Sequence, residues 1–291
     1  MKLMECVPNI SEGRDSQIIN AVADAVRAVP GVTLMGCSSD KDHNRTVISF
    51  LGEPPAVERA AVELAGEAVK LIDLTKHSGV HPRMGAVDVI PFIPLRGADM
   101  DECAETARRA GGEIFERYGV PVYLYENAAS APRRANLADV RRANPVLPGW
   151  APDFGTTPHP TAGMTAVGAR EILIAFNVDL DTPDVSAARA IAARIRQSSG
   201  GLPRVKALGL MLESRGAAQV SVNLTDWRVT PPRAVFDAIK THAARLGARV
   251  KNSEIIGLTP AAALSKDDIR HMKLKDFDPA AQILENFYPQ E

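Results

Sequence analysis

Apolar residues along this 291-residue chain recur with two different periods. Residues 3–7 form a short apolar run. Residues 15–29 follow, with Ile18, Ile19, Val22 and Val26 spaced to share one face of a helix. Residues 32–37 and 46–51 read as strands joined by a polar loop. Pro54 and Pro55 open an amphipathic helix that reaches about residue 72, because proline is accommodated in a first turn, where its missing N–H is not needed. A strand over 86–93, a helix over 99–118 and a strand over 121–125 come next. The early order β-α-β-β-α-β is the split unit of a ferredoxin-like fold.

A similar order returns in the second half. It runs from a strand over 171–178 to a helix over 183–197 and a hairpin of 206–212 with 218–224; a helix from Pro231 and Pro232 through 246 and a short strand over 255–258 complete it. Each half places a diproline ahead of its second helix, a small sign of duplication. The pattern predicts an α+β chain of two tandem ferredoxin-like (βαββαβ) subdomains, each a sheet with helices packed on one face. Their expected ranges are 1–169, connecting loop included, and 170–291. The joining segment, 128–169, is rich in Pro, Gly, Arg and Asn and too long for an ordinary connection; such segments are functional or disordered. Trp150 and Phe154 argue for order, since aromatic residues fold where they can bury. We expect this segment to line a cleft between the subdomains, a common place for small-ligand sites.

Charge and cysteine content narrow the function classes. Lysine plus arginine (34) nearly cancel aspartate plus glutamate (35), so nothing global marks a nucleic-acid or membrane-surface binder. Cys6, Cys37 and Cys103 are odd in number and widely spaced, which argues against a disulfide framework or a thiolate metal cluster. Cys6 and Cys37 sit in apolar strand-like runs and are expected to be buried, inert thiols. The first residues lack an uninterrupted apolar core, and no window approaches the roughly 20 apolar residues of a membrane helix. A reducing cytoplasm is the expected setting.

The densest chemistry lies in the run from His77 through Gly85: two imidazoles and a guanidinium within nine residues, just ahead of a β-branched strand. Histidine titrates nearest physiological pH, so a loop histidine at a strand edge suits proton transfer. Pro82 biases His81 toward an extended backbone, and Gly79 and Gly85 permit sharp turns on either side.

That run resembles a block of the glutamate formiminotransferase family, and it does not stand alone. Glu5 to Gly13, Asp42 to Val47, Trp150 to Gly155 and Ala218 to Leu224 match further blocks in the family's order. The likeness covers nearly the whole chain, and the family's architecture of two ferredoxin-like subdomains agrees with the pattern above. It implies transfer of a formimino group from N-formimino-L-glutamate to N5 of tetrahydrofolate, in histidine degradation and without a metal. His81 falls at the catalytic histidine, serving both proton transfers. Asn9, Glu12, Asp40 and Asp42 become candidates to hold the cationic amidine, Asn44 a further substrate-binding candidate, and Arg45 and Arg83 candidates to fork the glutamate carboxylates. Gly155, Thr156, Thr157, Gly163 and Met164 match the folate-contacting loop, which is one residue shorter than in vertebrates; Ser38 stands where the vertebrate pattern is acidic. In vertebrates a cyclodeaminase follows this unit. Here the resemblance implies a monofunctional transferase, a homodimer as in the family, with a separate cyclodeaminase as a potential partner.

Plainer readings stand beside these. His81 is either an acid–base group or a turn histidine, and Arg83 either a carboxylate fork or the partner of Asp88 in an ordinary ion pair. Arg133, Arg134, Arg141 and Arg142 are either a solvated face or a site for an anionic polyglutamate tail. His77 and His159 read as structural, and Met4, Met35, Met84 and Met211 as core fillers. Ser11 is a candidate helix cap, with Glu12 in the first turn. His77 and His81 have the i, i+4 spacing of helix-borne metal ligands, but Gly79 and Pro82 oppose a helix there. No glycine-rich nucleotide loop is present. Two alternatives share the fold: formyl exchange between 5-formyltetrahydrofolate and glutamate, or a catalytically silent folate-binding protein.

Overall fold

A computed structural model describes residues 2–142, 147 and 149–289. Residues 143–146 and 148, which belong to the expected connecting loop, lie outside the described residues. The chain divides into two compact units, Met1–Arg170 and Glu171–Glu291.

In the first unit, β1 (Met4–Cys6) and β2 (Asn9–Ile10) are two pieces of one strand, interrupted at Val7 and Pro8, where proline has no N–H for the ladder. Both pieces pair antiparallel with β4 (Arg45–Gly52) and β5 (Val87–Pro94). β3 (Val32–Asp40) forms a hairpin with β4. Helix α1 (Ser16–Arg27) lies between β2 and β3 in sequence, and α2 (Pro54–Leu71) between β4 and β5. The order β3-β4-β1/β2-β5 is therefore the ferredoxin-like one.

α1 and α3 (Met100–Tyr118) begin at a capping aspartate and α2 at its diproline, each with an apolar stripe behind it. Asp15, not Ser11, caps α1 by accepting from the N–H groups of Gln17 and Ile18. Ser11 instead donates to the Gly85 carbonyl at 2.8 Å. α2 buries small residues, among them Ala56, Ala60, Ala61 and Ala68, which let α1 and α3 pack closely on either side. Asp99 opens α3, and left-handed Gly119 closes it.

Beyond the ferredoxin-like core, α3 leads to β6 (Val122–Glu126), and the expected connecting loop ends in a strand, β7 (Thr165–Ala169). β7 inserts between β5 and β6, parallel to both, and completes a seven-stranded sheet. The sequence hides it because Thr165, Ala166, Val167, Gly168 and Ala169 are all buried, so no polar alternation marks the segment. Alternate residues of β6 separate its two faces: Val122 and Leu124 join the helix-side core, while Tyr123 and Tyr125 pack with Val89, Ala166 and Val140 on the other. Val140 comes from a short helix, α4 (Leu137–Arg142), of the connecting segment. Arg134 fixes that segment, donating to Asp153 and to the Ala151 carbonyl, both at 2.6 Å, and the Tyr123 hydroxyl donates to the Trp150 carbonyl at 2.6 Å.

One thiol departs from expectation. Cys6 and Cys103 are buried, but Cys37 is exposed, because β3 is an edge strand whose alternate residues leave the core.

The second unit repeats the core topology. β8 (Ile174–Leu180), α5 (Val185–Ile195), β9 (Val205–Leu212), β10 (Ala217–Leu224), α6 (Pro232–Arg245) and β11 (Val250–Ile256) give the all-antiparallel order β11-β8-β10-β9. β11 starts earlier than the apolar run at 255–258 suggests, since Lys251, Asn252, Ser253 and Glu254 are polar yet lie within the strand. Two short helices follow, α7 (Lys266–His271), begun by a Ser265–Asp268 capping box, and α8 (Pro279–Gln282). Among the described residues no helix is long and apolar enough to cross a membrane.

Candidate active site

Three loops of the first unit meet at one end of its central strands: residues 11–15 after β2, the β3–β4 turn, and the run from His77 into β5. Asn44 staples them. Its backbone is left-handed (φ 46°), which asparagine tolerates. Its Oδ1 accepts from the Gly13 N–H at 2.9 Å, and its Nδ2 donates to the Ser78 carbonyl at 3.0 Å.

Arg83 locks the histidine loop from within. Its Nη1 donates to the Asn44 carbonyl (2.9 Å) and the His77 ring (2.8 Å to Nδ1), and its Nη2 to the carbonyls of His43 (2.7 Å) and His81 (2.8 Å). A side chain at Gly79 would run into this guanidinium and the His43 carbonyl. The loop is thus extended after one 3-10 turn (Leu74–Lys76), and the two imidazoles do not share a helix face. Arg83 does not pair with Asp88.

Asp88 is instead the anchor of two other arginines. It is fully buried, and its Oδ1 accepts from the Met84 N–H at 2.9 Å. Arg45 Nη1 lies 2.7 Å from Oδ2, and Arg141 spans the carboxylate, with Nη2 on Oδ2 and Nε 3.4 Å from Oδ1. Burial pushes the Asp88 carboxyl up, but the two guanidiniums win and hold it well below the usual carboxylate range. Arg45 is itself 7 % exposed, and its Nε donates to Asn9 Oδ1 at 2.9 Å.

His81 stands beside this group. Its Nδ1 is 2.7 Å from the Pro82 carbonyl, which can only accept, so the hydrogen-bond pattern assigns the proton to Nδ1 and leaves a lone pair on Nε2. Burial pushes the imidazole well below its ordinary value, Arg45 and Arg141 add to the effect, and Asp88 opposes it. The ring is therefore neutral at pH 7. The buried His43 ring lies 5.8 Å away, centroid to centroid.

The other expected residues divide. Asn9 touches the site through Arg45. Glu12 accepts from the N–H groups of Arg14 (2.7 Å) and Asp15 (2.9 Å), and Asp40 from those of Asp42 (2.9 Å) and His43 (2.8 Å), so both shape turns. Gly163 bridges Gly85, and the Met164 N–H donates to the Met84 carbonyl at 2.9 Å, which brings this pair against the histidine loop. Gly155 sits against Phe115 and Pro121, and no hydrogen bond among the described residues ties it, Thr156 or Thr157 to that loop. His159 accepts from the Ala162 N–H at 3.0 Å, a turn contact. The arginine cluster is not one patch. Arg133 lies over Trp150, Arg134 binds Asp153, Arg142 pairs with Asp139, and Arg141 alone reaches Asp88.

Sequence reasoning named Asp88 only as a partner for Arg83, and Arg141 only within the arginine cluster, and did not join them to each other or to His81. The signal was present: an acid amid the apolar run of β5 demands a buried partner. His77 also borders a cavity of about 300 Å³ charged by Glu12, Arg14, Asp15, Asp73 and Lys76. Among the described residues, no three His, Cys, Asp or Glu converge as a metal-ligand set.

The family model for the formiminotransferase domain, N-terminal subdomain, matches residues 3–170, and the model for the formiminotransferase domain matches 175–285. The chain belongs to the formiminotransferase family. It is 44 % identical to the glutamate formimidoyltransferase of Streptococcus pyogenes serotype M1, covering 98 % of each chain. It is 40 % identical to that of Thermoplasma acidophilum over 96 % of this chain and 95 % of the relative. The formimidoyltransferase-cyclodeaminase of Rattus norvegicus is 41 % identical over 90 % of this chain, which corresponds to 51 % of that protein.

Proposed function

We propose that this formiminotransferase-family chain is a glutamate formimidoyltransferase, moving the formimino group of N-formimino-L-glutamate to N5 of tetrahydrofolate. The observation that carries the mechanism is His81: Nδ1–H pinned to the Pro82 carbonyl, Nε2 with a lone pair, and a ring neutral at pH 7. N5 attacks the amidine carbon, a C–N bond forms, and Nε2 takes the N5 proton. The resulting imidazolium is unstable next to Arg45 and Arg141, so it readily returns that proton to the glutamate nitrogen as the second C–N bond breaks. Free glutamate and 5-formiminotetrahydrofolate leave, and the imidazole is neutral again. One residue thus serves as base and then acid.

Tetrahydrofolate is the acceptor co-substrate in this reading. Gly163 and Met164, which abut the histidine loop, are candidates for its contacts; Gly155, Thr156 and Thr157 are proposed for the same role on resemblance alone. Operation in histidine degradation, in the cytoplasm, as a homodimer and with a separate cyclodeaminase as consumer of the product follow from the family reading.

The test offers tetrahydrofolate with formiminoglutamate and formylglutamate in parallel, wild type beside His81→Ala. The expected result is turnover of the formimino donor, falling about 10²–10⁴-fold in the variant. A preference for the formyl donor would reassign the substrate. Folate binding without turnover of either donor would point to a silent binding protein.

A further inference from the structure

We propose that Arg141 and Arg45, both anchored on Asp88, form a two-arginine clamp for an amino-acid carboxylate, that of the glutamate moiety of the donor. The inference rests on the transferase reading above.

The donor inventory leads to it. Arg45 spends Nε on Asn9 and Nη1 on Asp88, and Arg141 spends Nε and Nη2 on Asp88. Arg45 Nη2 and Arg141 Nη1 donate to no group among the described residues. Each guanidinium therefore keeps one arm while the shared carboxylate fixes its plane, which is the pre-organisation that makes an arginine fork selective for carboxylates.

Charge leads to the same place. Two guanidiniums face a single carboxylate, and His81 is neutral, so the group carries one excess positive charge where Arg45 is 7 % and the Arg141 side chain 18 % exposed. Arg83 adds a further cation whose donors go to carbonyls and the His77 ring, not to an acid. An excess cation in poorly solvated surroundings favours a bound anion.

Chemistry then chooses which anion. The α-carboxylate of formiminoglutamate is attached to the carbon that bears the departing nitrogen. A clamp beside His81 that grips this group would hold that nitrogen near Nε2, where the returned proton is needed. The glutamate tail of the folate carries the same functional group, so the experiment separates the two sources.

The full chain is assayed as wild type, Arg141→Ala and Arg141→Lys, with Arg142→Ala, an exposed neighbour paired to Asp139, as the control. Far-ultraviolet circular dichroism checks that each is folded. Arg141→Ala is expected to raise KM for formiminoglutamate roughly ten- to hundredfold, with KM for tetrahydrofolate unchanged and kcat reduced far less. Arg141→Lys restores part of the loss, because charge returns without the fork. The groups facing His81 are Arg45, Arg141, Asp88 and His43, so losing the Arg141 cation also moves the acid limb of kcat/KM to higher pH.

Calorimetry with L-glutamate supplies an arm independent of turnover. If wild type binds L-glutamate but does not turn over the formimino donor, the transferase reading fails, and weaker binding by Arg141→Ala still upholds the clamp. A rise in KM for tetrahydrofolate instead of the donor, or unchanged donor KM and glutamate affinity in a folded Arg141→Ala, overturns the clamp.

Discussion

At position 88 an acid interrupts a strand that is otherwise apolar, and the cost of burying its charge is offset only because Arg45 and Arg141 arrive from separate segments. Asp88→Asn keeps the shape and removes the charge. Both guanidiniums then lose their anchor, and a stability loss of about 3–5 kcal/mol is expected, measured as a lower urea midpoint with the m-value unchanged. At this scale the sequence was partly legible. His81 could be singled out because proline and glycine flank it in a loop before a strand. Arg141 could not, because its partner lies 53 positions away and nothing local distinguishes it from Arg133, Arg134 and Arg142. Arg83 shows the converse. Its place inside the motif suggested a ligand fork, whereas its donors are consumed by carbonyls of its own loop and of the β3–β4 turn.

The loop from His77 to Gly85 is tied by that guanidinium to four acceptors, alongside the Asn44–Ser78 and Met84–Asp88 bonds, so its shape should depend on fork geometry and not on charge alone. Arg83→Lys retains the cation and cannot reach four acceptors at once. The expected outcome is a fall in kcat of about tenfold as His81 loses its fixed position, with KM for the donor nearly unchanged, read from steady-state kinetics. A raised donor KM at constant kcat would return Arg83 to the role of a carboxylate fork. Helices and antiparallel strands were legible because apolar period and diproline agree locally, as at Pro54, although the cap of α1 falls at Asp15 and not at Ser11. β7 was not, since a strand buried on both faces and built of small residues has no period to read. The exposure of Cys37 was missed for a related reason: whether a strand lies at an edge is a property of the sheet, not of its own residues.

For the molecule as a whole, pH dependence offers a test that does not involve catalysis. Glu5, on the central strand, is buried, and its carboxyl is pushed up to about 7 by burial, with Arg170 opposing. The fold therefore favours the uncharged acid. The stability this contributes is full below the ordinary carboxyl value of 4.5 and is lost as pH rises through about 7. Glu5→Gln, which cannot ionise, should unfold at higher urea than wild type at pH 8, by up to about 3 kcal/mol, and the difference should shrink at pH 5. The tandem duplication was legible in the repeated element order, but the extension of the first sheet by α3, β6 and β7 was read only in part. That extension has a consequence for synthesis. β6 leaves the ribosome well before β7, yet it has no place on the sheet until β7 fills the gap beside β5. A nascent chain ending short of Thr165 would thus carry two unsatisfied strand edges at once, exposed to pairing with other chains. The last strand of the unit is its latch, and completion of the first sheet must wait for it.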